Sequence, residues 1–64
     1  MPVVQVQMFE GRTVEQKRAL AEAITEAMVT HAGARREGLH VLLDEYPLES
    51  WARGGVLASD RQDP

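Results

Sequence analysis

The residue in this sequence best suited to acid–base chemistry is Pro2, which becomes the first residue once Met1 is removed. Methionine aminopeptidases normally remove Met1 when a small residue follows it, and proline qualifies. The product is a secondary amine, and an α-amino group has a pKa of about 8 before its surroundings act on it. A cationic neighbour or an apolar environment lowers that pKa by disfavouring the ammonium form. A terminal Pro2 could then take up and return a proton near neutral pH, although many prolines at position two have no such role.

Two more side chains could build a site around such an amine. Arg12 lies just before a predicted helix start, where a guanidinium could bind a carboxylate through two parallel hydrogen bonds. The free amides at the helix N-terminus would favour the same anion. Trp51, the only tryptophan, could form an apolar wall that excludes water from an amine. Each also has a simpler interpretation, as a solvated loop arginine and as a core or interface anchor.

The two histidines indicate no metal site. His40 lies in a predicted strand and could be a hydrogen-bond donor, a base or a packed side chain, whereas His31 continues the apolar face of a helix and is expected to be structural. The chain has no cysteine and no cluster of ligands around either histidine. Neither a disulfide nor a metal is therefore expected, and no cofactor is implied.

A strand, a helix and a second strand are predicted in that order. Residues 3–9 and residues 39–45 alternate between two faces, with Val4, Val6 and Met8 together on one face of the first strand. A helix long enough to cross over joins the strands, which predicts an α+β chain with a right-handed βαβ unit and a parallel two-stranded sheet. After Pro47, the Gly54-Gly55 pair predicts a small C-terminal β-hairpin.

The limits of the helix are marked by its sequence. Thr13 and Gln16 have the spacing of a capping box, and Gly33 is placed to end the helix. Four apolar residues at helical spacing predict the buried face of the helix: Leu20, Ile24, Ala27 and Met28. His31 lies one turn further along the same face.

Size and charge limit the remaining possibilities. With 64 residues the chain forms one domain (1–64), of which residues 60–64 are expected to be a frayed tail. A chain this short buries only about 60% of its unfolded surface, so self-association through the sheet edges is expected. The net charge of −3 argues against nucleic-acid binding. No apolar run could span a membrane and no signal peptide is visible, so the chain is expected to be cytoplasmic.

Several of these features occur together in one known family. Pro2, the run EGRTVEQK at residues 10–17, and Trp51 followed by Gly54-Gly55 make the chain resemble the 4-oxalocrotonate tautomerase family. The resemblance extends from Pro2 to about Ser59 without gaps. It implies short βαβ subunits that assemble as a homohexamer, a trimer of dimers, with the hairpin near a neighbour's active site.

The resemblance also implies a reaction and a set of site residues. Family members isomerise unsaturated 2-oxo or 2-hydroxy acids such as 2-hydroxymuconate, and the terminal proline transfers the proton. Pro2 would be the base and then the acid, Arg12 would bind the distal carboxylate of the substrate, and Trp51 would supply the apolar wall usually provided by phenylalanine. Phe9 is a further candidate for substrate binding, although its chemistry alone assigns it no role.

His40 departs from the family pattern. It stands where the family has a second arginine, which reaches from the second strand into a neighbour's active site. Imidazole has no guanidinium fork and is mostly neutral at pH 7, so the usual diacid substrate is in doubt. Arg35, Arg36 or Arg53 could supply the missing cation, and Arg53 is of most interest because it lies two residues after Trp51.

Alternatives to a tautomerase remain open. The same scaffold and proline could hydrate or dehalogenate an unsaturated acid, with His40 orienting water. The chain could also be a non-catalytic oligomer, or one partner of a hetero-oligomer whose sister chain carries the missing arginine. A ribbon-type DNA-binding dimer is disfavoured by the negative charge and by the lack of basic residues in the first strand.

Overall fold

The structure, a computed structural model, describes residues 2–61. Its strands and helix follow the order β1 (Val3–Phe9), α1 (Val14–Ala32), β2 (His40–Tyr46), β3 (Ala52–Arg53) and β4 (Val56–Leu57). Short 3-10 helices lie between or after them, at Arg36–Gly38, Leu48–Ser50 and Ala58–Asp60. The predicted βαβ unit and C-terminal hairpin are both confirmed.

The main sheet is a parallel pair of strands whose register places the first residues of both strands at the same end of the sheet. Val3 lies opposite His40, and Phe9 lies opposite Tyr46. The pairing extends beyond both ends, because the His40 amide donates to the Pro2 carbonyl (3.1 Å) and the Glu10 amide donates to the Tyr46 carbonyl (2.9 Å). Side chains that begin β1 and β2 are thus neighbours, and both are far from the side chains that end them.

The second strand begins one residue later than the sequence predicted. The Leu39 amide donates to the Arg36 carbonyl (3.4 Å), so Leu39 closes the preceding 3-10 helix although its backbone is already extended. The alternation of faces is unaffected by this shift, since it depends on the residues that follow.

Helix α1 has the limits that its sequence predicts. The Thr13 hydroxyl accepts from the Gln16 amide (3.1 Å), and the Gln16 side chain accepts from the Thr13 amide (2.9 Å), which completes the capping box. Gly33 ends the helix in the left-handed conformation (φ 68°), which glycine adopts without the steric cost of a Cβ.

The predicted buried face of α1 is only partly correct. Leu20, Ile24 and Met28 are half-buried, but Ala27 and His31 are exposed. The helix is rotated so that Ala21 flanks the packed stripe instead of Ala27. His31 is thus exposed within one chain, and its expected structural role stays a prediction.

One face of the sheet is covered by α1, and the other, called the bare face below, is contacted by Trp51 where both strands end. Lys17 of the helix reaches Glu45 of β2 (2.9 Å), which fixes the covered face. The opposite face exposes large apolar side chains, namely Val3 (51%), Leu42 (46%) and Phe9 (37%). No residue in the described range 2–61 is fully buried. The radius of gyration is 14.7 Å, compared with about 10.7 Å for a compact chain of this length.

This shape makes self-association a testable expectation. Since residues 2–61 form no fully buried core, folding alone gains little, and a second surface is needed to cover the apolar face. We expect the protein to sediment as an oligomer and not as a monomer. A stable monomer at micromolar concentration that retained activity would contradict this expectation.

The C-terminal hairpin turns at the two glycines that the sequence indicated. Gly54 (φ 59°) and Gly55 (φ 82°) both have positive φ, as a tight two-residue hairpin turn requires. Of the predicted frayed tail, Asp60 ends a 3-10 helix and Arg61 donates through Nη2 to the Arg53 carbonyl (2.6 Å), whereas residues 62–64 lie outside the described range. Within the described range, no helix is long and apolar enough to cross a membrane.

Candidate active site

Pro2 lies at the rim of a depression at the N-terminal edge of the sheet. The depression has a volume of about 500 Å³. Pro2 is half-buried on one side of it, Met28 and Ala32 of α1 form an apolar wall, and the segment after the helix contributes Arg35 and Glu37. The depression therefore combines the proline with an apolar wall, a cation and a carboxylate.

His40 is close to Pro2 along the backbone, but its side chain belongs to the other face of the sheet. Its amide bonds to the Pro2 carbonyl, yet the exposed imidazole shares the bare face with Leu42 and does not line the depression. Within one chain, His40 thus lies away from the cavity beside Pro2.

An aromatic cluster occupies the opposite edge of the sheet, where both long strands end. The ring of Trp51 meets Phe9 edge-on with centroids 4.8 Å apart, and it meets Tyr46 in the same manner at 5.7 Å. A shallow pocket of about 270 Å³ lies beside the cluster and includes Gln7 and Ser50. Edge-to-face packing of this kind holds the indole ring in a defined orientation.

Two arginines accompany this aromatic cluster. Arg12 donates through Nη1 to the Phe9 carbonyl (2.9 Å), which holds its exposed guanidinium at the end of β1. The capping box already occupies the amides of Thr13 and Gln16, so the helix N-terminus offers an anion fewer donors than the sequence suggested. Arg53 lies in the hairpin, exposed, with its carbonyl accepting from Arg61.

The predicted site residues therefore fall into two groups at opposite ends of β1. This strand has seven residues, and its rise of about 3.3 Å per residue separates its ends by about 20 Å. Pro2 and the backbone of His40 lie at one end. The other end holds Phe9, Arg12, Trp51 and Arg53.

Comparison with known proteins establishes the family. A family model described as "Tautomerase enzyme" matches residues 2–61, which is nearly the whole chain. The chain belongs to the tautomerase family. A probable tautomerase from Ralstonia nicotianae is 42% identical to this tautomerase over 64 residues, covering all of this chain and 91% of the relative.

Solved structures assign this tautomerase to the 4-oxalocrotonate group. YwhB, a homologue of 4-oxalocrotonate tautomerase, is 43% identical with a TM-score of 0.90 and covers 95% of this chain and 100% of its own. A heterohexameric 4-oxalocrotonate tautomerase from Chloroflexus aurantiacus is 27% identical with a TM-score of 0.87, covering 97% of this chain and 100% of that one. The resemblance seen in the sequence is confirmed.

Some features of the site were missed from the sequence. Tyr46 had no assigned role, although a parallel register that pairs strand ends places it next to Phe9. The pairing of Arg35 with Glu37 beside Pro2 depends on how the segment after Gly33 folds back, which no pattern in the sequence indicated. In the part of the chain that the structure describes, no group of three or more potential ligands could hold a metal ion.

Proposed function

We propose that this tautomerase isomerises an unsaturated 2-hydroxy or 2-oxo acid, of the kind represented by 2-hydroxymuconate, with Pro2 as base and then as acid. The observation that carries the proposal is the position of Pro2, at the rim of a depression that holds both an apolar wall and a cation. The family match also begins at Pro2.

The proposed reaction moves one proton and needs no other reactant. The unprotonated Pro2 amine removes the proton of the C2 hydroxyl, and the O–H electron pair becomes part of the C2=O bond. The electrons of the enol double bond move onto the conjugated carbon chain. The Pro2 ammonium then returns its proton to the carbon that has gained electron density, so substrate and product are isomers.

The surroundings of Pro2 support a free amine at neutral pH. Met28 and Ala32 present apolar surface to the depression, whereas the charge of Arg35 is paired with that of Glu37. The apolar surface disfavours a positive charge on the proline nitrogen. The amine exists only after Met1 has been removed, because with Met1 attached the Pro2 nitrogen is an amide and has no basic lone pair.

We further propose that the complete active site forms between copies of the chain. Arg12 would bind the distal carboxylate, and Trp51 with Phe9 would form the apolar wall over Pro2. Because these groups lie about 20 Å from Pro2 within one chain, a six-carbon diacid cannot contact both ends of the same subunit. A neighbouring copy that places the far end of its sheet against the Pro2 end of this chain would bring its aromatic cluster to the Pro2 depression.

The same assembly would give His40 and Arg53 a role at a neighbour's site. His40 projects from the bare face, and Arg53 lies in a hairpin that extends from the aromatic cluster. Since this chain itself carries Pro2, Arg12 and Trp51, a homohexamer, a trimer of dimers, can complete the proposed site without a different sister chain. We therefore propose self-assembly.

The direct test is an assay of the Met1-processed protein with two enols. We expect faster ketonisation of both 2-hydroxymuconate, a diacid, and the enol of phenylpyruvate, a monoacid, than in buffer alone, measured by the absorbance of the enol. We expect the monoacid to react because proton transfer by Pro2 does not require a second, distal carboxylate on the substrate. Absence of acceleration with both enols would contradict the proposed function.

A further inference from the structure

Of the three arginines that could replace the cation missing at position 40, only Arg35 lines the Pro2 depression. Arg36 points to α1, where Nη1 bonds to Glu22 (3.2 Å to Oε2) and Nη2 bonds to Glu26. Two carboxylates thus neutralise Arg36. Arg53 belongs to the hairpin at the far edge of the sheet. Of these three arginines, Arg35 is therefore the one placed to supply a cation beside Pro2.

The guanidinium of Arg35 has one ion-pair partner, and part of its hydrogen-bonding capacity remains available. Its Nε donates to Oε1 of Glu37 (3.0 Å), while the side chains of this pair remain 85% and 71% exposed. An ion pair this exposed contributes little stability and exchanges partners at small cost. Glu37 engages the Nε side only, which leaves the Nη1–Nη2 edge of the fork available for a second carboxylate.

The segment that carries Arg35 contacts α1 through the next residue. Arg36, which begins the 3-10 helix Arg36–Gly38, pairs with Glu22 and Glu26 of α1. These pairs are largely exposed, so they orient the segment toward α1 but add little stability. Arg35 thus lies among the residues that line the depression, with its guanidinium exposed to solvent and open to a small anion.

We infer that Arg35 binds the substrate carboxylate adjacent to the reacting enol through the Nη1–Nη2 edge that Glu37 leaves open. This inference rests on the proposed function of Pro2. The expected substrates are 2-oxo or 2-hydroxy acids whose C1 carboxylate accepts hydrogen bonds from Nη1 and Nη2 of Arg35. A second carboxylate is optional, because Arg12 would serve it from a neighbouring copy.

The test compares Arg35→Ala with Arg18→Ala as a matched control. Arg18 is an exposed arginine near the start of α1, so its loss changes the net charge equally but away from the depression. Steady-state kinetics with the enol of phenylpyruvate should show KM raised about ten- to a hundredfold by Arg35→Ala, with kcat nearly unchanged. The carboxylate contact exists in both ground and transition states, which is why KM carries the effect. Arg35→Lys should recover part of the loss.

Binding of an unreactive monoacid separates this inference from the proposed function. Cinnamate has a carboxylate and an apolar tail but no enol, and its dissociation constant can be measured by calorimetry with Pro2→Ala as well as with the unsubstituted chain. We expect Arg35→Ala to weaken cinnamate about tenfold or more, and Arg18→Ala to have no effect. Lost binding with Arg35→Ala would support the inference even if neither enol were turned over. Equal binding by Arg35→Ala, or no binding by the unsubstituted protein, would overturn it.

The same inference makes a prediction for His40. If Arg35 already supplies the cation, His40→Arg should change KM and kcat for either enol very little. A large gain in turnover of 2-hydroxymuconate from His40→Arg would overturn the assignment of Arg35, because it would show that the position of His40 lacks a needed charge.

Discussion

Replacing Pro2 with alanine is expected to lower kcat/KM for 2-hydroxymuconate by about two to four orders of magnitude, the usual contribution of a positioned acid–base group. Alanine at position two still permits removal of Met1, so a terminal amine remains. That amine is primary and lacks the ring that holds the nitrogen at the rim of the depression. Steady-state kinetics of the two proteins, at equal content of processed chains, measures the loss.

Val3→Ala is the control for this substitution. Val3 follows Pro2 directly and is 51% exposed on the bare face, so its truncation disturbs both the same end of β1 and the apolar face expected to contact another copy, without altering the terminal amine. We expect Val3→Ala to retain most of the activity, and both variants to keep the circular dichroism of the unsubstituted protein. A Pro2→Ala protein with full activity would contradict a role for the proline ring.

The proposed location of the site between copies predicts that two inactive variants restore each other. Arg12→Ala should lower kcat/KM for 2-hydroxymuconate about a hundredfold, since it removes a charge-assisted contact to the distal carboxylate, and should affect the monoacid enol much less. In an oligomer of Pro2→Ala chains every site lacks the proline, and in an oligomer of Arg12→Ala chains every site lacks the arginine supplied by the other copy.

Unfolding the two variants together and refolding them as mixed oligomers should recover substantial activity. With random assembly from equal amounts, about one site in four combines an intact Pro2 from one chain with an intact Arg12 from another. Each variant refolded alone is the control. A mixture no more active than the average of the two would show that one chain supplies both residues.

Most of the fold could be predicted because its signals are local. The capping box of Thr13 and Gln16 and the helix end at Gly33 depend on a few neighbouring residues, and each of these appears in the structure as predicted. The rotation of α1 was harder to predict. Ala27 and His31 lie close enough to the apolar stripe to be included with it, and only packing against the sheet separates them from Ala21.

The candidate site could be predicted as a set of residues but not as an arrangement. Pro2, Arg12 and Trp51 have chemistry that a sequence pattern can identify, yet the parallel register puts Pro2 at one end of β1 and the other two at the opposite end. Whether they meet depends on contacts between chains, which no local pattern encodes. Likewise, Arg35 stands out from Arg36 only when their carboxylate partners are seen.

The central claim, that the free amine of Pro2 transfers the proton, is tested most directly by comparing processed protein with protein that retains a residue before Pro2. Both forms have identical side chains from Pro2 onward, but the retained residue converts the Pro2 amine into an amide. Mass spectrometry assigns each preparation, and ketonisation of 2-hydroxymuconate gives its rate. We predict that the processed form is active, with activity that rises with pH as the ammonium loses its proton, and that the blocked form is inactive. Full activity in protein whose Met1 is retained would contradict the claim.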